Sequence, residues 1–91
     1  MMQVRTFTAL LMLNVLLQEN IGIVFEEQGK LEEAEQMYNQ TLQIRVKVFG
    51  NDSLDVAETQ KNIADIRSSQ ARYDEAVEMY ASVVQIQERV L

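Results

Sequence analysis

The sequence predicts an all-α chain folded as two antiparallel helical hairpins that stack into a short solenoid. Three observations lead there. Residues 20–49 recur in residues 62–91 without a gap, at an offset of 42, and the identical pairs include Asn20/Asn62, Ile21/Ile63, Glu33/Glu75, Ala34/Ala76, Tyr38/Tyr80 and Ile44/Ile86. A repeat of that length is one supersecondary unit, which buries its apolar face only by stacking on a neighbour. The 91 residues contain no proline and three glycines, and the abundant Glu, Gln, Leu, Ala, Met and Arg all favour helix. Finally, apolar side chains recur at the three- and four-residue spacing of a helical stripe, as Leu31, Ala34, Tyr38, Leu42 and again as Tyr73, Ala76, Tyr80, Val84.

The first helix is expected over about 4 to 28 and ends at Gln28-Gly29-Lys30, where Gly29 takes a positive φ at little cost. The second runs over 31 to 49, with Glu32 and Glu33 in the first turn, where the helix dipole favours negative charge. Gly50-Asn51-Asp52-Ser53 is the clearest break. It supplies a glycine for the left-handed position, then Asp52 or Ser53 as N-cap for the next helix. The third helix is expected over 54 to 70. Its closing turn, Gln70-Ala71-Arg72, places alanine where the first copy has glycine, at a higher conformational cost. The fourth covers 73 to 91 and opens with Asp74 and Glu75. Residues 1–91 thus read as one domain, with repeat 1 over about 8–49 and repeat 2 over about 50–91. The core is expected to join Leu31, Ala34 and Tyr38 of one hairpin to Ile63, Ala64 and Ile66 of the other.

Composition narrows the function. Without cysteine or histidine there are no thiolates, disulfides, zinc ligands of those types or imidazole bases. Paired carboxylates acting as acid and base need one member desolvated in a pocket, and here each falls on a polar face or turn, so no enzyme and no cofactor is expected. A net charge of −6 with eight scattered Lys and Arg lacks the basic cluster of a nucleic-acid binder.

The run Phe7 to Leu17 follows Arg5 as a signal-peptide h-region follows its charged start. It contains Asn14, lacks a small-x-small cleavage site, is too short to span a bilayer, and continues directly into Gln18-Glu19-Asn20 of the repeat. We therefore read it as a buried helix of a cytoplasmic protein not expected at a membrane, with a targeting or membrane-anchoring segment over residues 4–17 as the alternative. The sequons Asn39-Gln-Thr41 and Asn51-Asp-Ser53 are short enough to arise by chance. Solenoids need polar terminal repeats. Both ends here are apolar, so the chain is expected to be an excerpt of a longer array or a unit that associates through its ends.

The residues carrying the repeat form a signature: Asn-Ile-Gly/Ala, then Gln-Gly/Ala-Lys/Arg-Leu/Tyr-x-Glu-Ala-x-x-Met-Tyr, then Leu/Val-Gln-Ile and a closing Val-Phe-Gly-x-Asp. Over residues 18–91 this resembles the 42-residue tetratricopeptide repeat of the kinesin light chain type. Departures are Arg67 where the family has an aromatic, Thr41 and Val83 where it has small residues, and Ser53-Leu54 where it has His-Pro. The resemblance implies a right-handed superhelix whose concave face, lined by the first helix of each pair, holds extended peptides. Asn20 and Asn62 then become candidate peptide contacts, because an amide both donates to and accepts from a backbone. The bland alternative is a solvated or locally bonded helix Asn. Glu19, Ile23, Lys61 and Asp65 share that face by family register, as do Leu16 and Glu58. With Lys61 its one basic group, the face is expected to take neutral or basic partners rather than acidic ones; the alternative to such a binding module is a structural spacer or self-associating solenoid segment with no ligand of its own. Tyr38 and Tyr80 match the packing position and are read as core.

Overall fold

The computed structural model describes residues 4–91, so the first three residues of the expected domain lie outside the described residues. Four helices follow one another: α1 (Val4–Glu27), α2 (Leu31–Phe49), α3 (Leu54–Ser69) and α4 (Tyr73–Val90). Each boundary falls within a residue or so of its sequence expectation, because the turn chemistry is local. Gly29 and Gly50 adopt φ 76° and 83°. The Ser53 hydroxyl caps α3 by accepting from the Val56 amide at 3.1 Å, which satisfies one of the helix's orphan donors. Acidic pairs open α2 and α4 as expected.

α1 packs on α2, α2 on α3 and α3 on α4, so the two hairpins stack through their middle helices. One core cluster joins Ala34 and Tyr38 of α2 to Ile63 and Ile66 of α3, with Phe25, Leu31, Leu42 and Met79 around it. A second joins Val56 and Ala57 to Val83 and Ile86. Ala64 is fully buried as well.

Two expectations do not hold. The α4 stripe is only partly covered: Ala76 is buried, Tyr80 half-buried, and Tyr73 and Val84 are exposed. The first helix is not buried either. Leu11, Val15, Gln18, Gly22 and Phe25 make one stripe, of which Val15 and Gly22 are buried, while Leu10, Leu13, Leu16, Leu17 and Val24 face outward. A helix inside a stack is covered from two sides, and α1 and α4 each have a neighbour on one. Residues 5–27 also form a helix long and apolar enough, by length and composition, to cross a membrane.

Ala71 occupies the left-handed region at φ 62°, as Gly29 does in the first hairpin. Left-handed geometry costs a non-glycine residue about 1 to 2 kcal/mol, against about 0.5 to 1 kcal/mol of extra chain entropy that glycine loses on folding. Ala71→Gly should therefore raise stability by about 0.5 to 1 kcal/mol, read as an increased urea midpoint at unchanged slope.

Candidate functional site

Helix α3 has three sides. Thr59, Ile63 and Ile66 are buried toward α2; Ala57, Ala64 and Gln60 turn toward α4, where Gln60 accepts a bond from the Ser82 hydroxyl at 3.0 Å. The third side carries Leu54, Glu58, Lys61, Asn62, Asp65 and Ser69, all exposed or half-buried. Subtracting the repeat length gives the matching side of α1, with Leu16, Glu19, Asn20, Ile23 and Glu27, again exposed or half-buried. The sequence-derived candidates Asn20, Ile23, Lys61, Asn62 and Asp65 thus fall on sides of their helices that the packing leaves at least partly open, whereas Glu19 is largely covered. Asn20 is exposed and Asn62 half-buried.

The charged members differ in their commitments. The Lys61 ammonium lies 3.2 Å from Asp65 Oδ2 one helical turn away, an exposed pair of small energetic weight. The other oxygen of Asp65 accepts from the Tyr80 hydroxyl. This bond is the first cause of an upward shift in the tyrosine pKa, followed by burial and the Asp65 charge, since a neighbouring anion disfavours a phenolate. Tyr80, expected as core, is in this way linked to the open face. The amides of Asn20 and Asn62 carry none of these bonds.

Glu19 is the deepest member, with its side chain 13% exposed. Its Oε2 accepts from Arg45 Nη2 at 3.1 Å. Burial, as the leading cause, pushes the Glu19 carboxyl above its usual range; Arg45 opposes the shift, and the adjacent Glu58 carboxylate reinforces it. Arg45 itself was not anticipated from sequence. It is buried on α2 and donates through Nη1 to Thr59 Oγ1 at 2.7 Å and to the Asp55 carbonyl at 3.3 Å. One guanidinium therefore ties α1, α2 and α3 together beneath the open face, using the planar fork that lets arginine satisfy several acceptors at once.

A second ionic cluster lies at the other end of the hairpin junction. Glu35 Oε1 stands 3.5 Å from Arg67 Nε and 3.2 Å from Arg72 Nη1. Arg67 takes the register of Phe25, so an aromatic contact in the first copy becomes an inter-hairpin ion pair in the second. No group of three or more acidic side chains with metal-binding geometry occurs among the described residues.

The arrangement is a net-acidic helical face with two amides at the same register that carry no side-chain hydrogen bond among the described residues. It offers contact surface and hydrogen bonding to an extended ligand. A family model described as tetratricopeptide repeat matches residues 11–89. No curated protein matches the chain.

Proposed function

The chain belongs to the tetratricopeptide repeat family, whose members are generally non-enzymatic modules for protein–protein interaction, and we propose that its open α1/α3 face binds an extended peptide segment of a partner protein. The observation that carries this reading is the paired placement of Asn20 and Asn62. Amides recurring at the same register one repeat apart would each donate to and accept from a peptide backbone. Leu16 and Ile23, both more than 40% exposed, add apolar contact for its side chains. The 42-residue period and the closing Val48-Phe49-Gly50-Asn51-Asp52 support the kinesin light chain-like subtype.

The preference is for neutral or basic peptides. Glu27 and Glu58 are exposed on the same face, while Lys61 is paired with Asp65, so the field toward an incoming ligand is negative and weakens with salt.

Replacing both Asn20 and Asn62 by Ala should weaken binding about fivefold to a hundredfold, at about 0.5 to 1.5 kcal/mol per lost hydrogen bond, with helix content unchanged. Fluorescence anisotropy with matched acidic and basic peptide sets at two salt concentrations measures both effects. Tighter binding of the acidic set would refute the charge preference. Indifference to the double change would refute the assigned face.

A further inference from the structure

The uncovered sides of α1 and α4 carry apolar residues at the registers that meet in the α2/α3 junction. We infer that the chain associates head to tail, with α4 of one copy packed on α1 of a second copy of this chain in the geometry that α2 and α3 already adopt within it. This goes beyond peptide binding, since it uses neither amide and lies on a different side of α1.

Shifting the α2/α3 junction by one repeat names both halves of the contact. On the α3 side, Ile63 and Ile66 are 0% and 1% exposed beneath Tyr38; their counterparts on α1, Ile21 and Val24, are 37% and 49% exposed. On the α2 side, Tyr38 and Leu42 contribute to the clusters; their counterparts on α4 are Tyr80, half-buried, and Val84, half exposed.

The polar positions are the more telling. Within the chain Glu35 of α2 meets Arg67 of α3 as an ion pair. Shifted by one repeat, the same two positions are Val77, 65% exposed, and Phe25. Both partners change together from charged to apolar. Thr59, buried where it accepts a bond from Arg45, likewise becomes Leu17, while Arg45 becomes Gln87. Elsewhere the shift puts Lys30 in the place of Arg72, Glu88 in the place of Val46 and Asn14 in the place of Val56. A solvated pair has no reason to turn apolar on both sides, as Glu35 and Arg67 do in becoming Val77 and Phe25; a covered junction does.

The contact joins different patches on the two copies, so it is heterologous and propagates instead of closing on a two-fold axis. Sedimentation velocity of the whole chain should show species that grow with concentration. Val77→Glu blocks the α4 side and Leu17→Glu blocks the α1 side; both residues are exposed, and circular dichroism verifies that each variant keeps its helix content. Each variant alone should be monomeric. Mixed in equal amounts they should form a one-to-one dimer and nothing larger, because one intact α4 side and one intact α1 side remain. A wild-type chain that stays monomeric at all concentrations overturns the inference, and if that monomer also pellets with phosphatidylcholine vesicles, the α1 surface belongs to a bilayer. Dimers that persist in Val77→Glu alone overturn it in favour of α1 packing on α1.

Discussion

Glu19→Leu should destabilise the chain by about 3 kcal/mol, whereas Arg45→Met should cost about 1 kcal/mol, although the two residues form one ion pair. The asymmetry comes from what each survivor can do. A guanidinium stays protonated in any protein environment, so without Glu19 the buried Arg45 retains its charge against two neutral acceptors, Thr59 Oγ1 and the Asp55 carbonyl. The figure sits at the low end for a broken buried pair because Glu58 adjoins the vacated place. Glu19 has an escape that Arg45 lacks. Its pKa is already raised by burial, and with the opposing guanidinium gone it rises further and the carboxyl takes up a proton. A folded-state pKa above the unfolded value means that the folded form binds the proton more tightly. The stabilising contribution is then full below the unfolded pKa and lost as pH rises through the folded one. Arg45→Met should accordingly gain stability on mild acidification, relative to the parent, in the interval just above the usual carboxylate range. The double variant Glu19→Leu, Arg45→Met removes both charges and should recover nearly all the loss. Urea denaturation of the four proteins at two pH values gives the cycle; equal costs for the two single changes would show that the pair is not buried as a unit.

The same pair marks where sequence reasoning stops. Helix limits, both turns, a cap at Asp52 or Ser53 and the Ala34/Tyr38/Ile63/Ile66 core were legible because each depends on local chemistry or on a stripe repeated at 42 residues. Arg45 was not, since Ile44-Arg45-Val46-Lys47 reads as a solvated charge between apolar residues and the second copy has Gln87 there. A signal was present in the spacing: Ala34, Tyr38, Thr41 and Arg45 fall on one line, and all four are buried. The exposure of Asn20, Ile23 and Lys61 agrees with the family register, while the burial of Glu19 and the commitments of the charges were not legible. That Glu19 is held by a group 26 positions away follows from how the hairpins stack. The exposed sides of α1 and α4 were legible as apolar ends, but finding which of their positions correspond to the packed α2/α3 junction required that junction as a template.

Removing the Tyr38 ring should have the largest effect of any single truncation. Tyr38→Ala is expected to cost about 3 to 5 kcal/mol, a large part of the roughly 5 to 14 kcal/mol that a chain of this size has in total. The ring is 1% exposed in the main cluster, and its hydroxyl donates to Glu26 Oε1 at 2.7 Å, a bond that together with burial holds the phenol in its protonated form. Space for it comes from Gly22. A Cβ at that position would stand 2.8 Å from Tyr38 Cε1 and 3.1 Å from Cδ1 and Cζ, closer than van der Waals contact. The second copy shows the alternative, with Ala64 at the equivalent site and Tyr80 half-buried and bonded to Asp65. Glycine inside a helix normally gives way to alanine with a gain of about 1 kcal/mol. Here the overpacking outweighs that gain, so Gly22→Ala should lose about 1 to 2 kcal/mol. In the Tyr38→Ala background the ring is gone and the ordinary preference returns, making the same Gly22→Ala change stabilising. Measuring Gly22→Ala in both backgrounds by urea denaturation tests the contact directly, and a change of the same sign in each would show that the ring does not rest on residue 22.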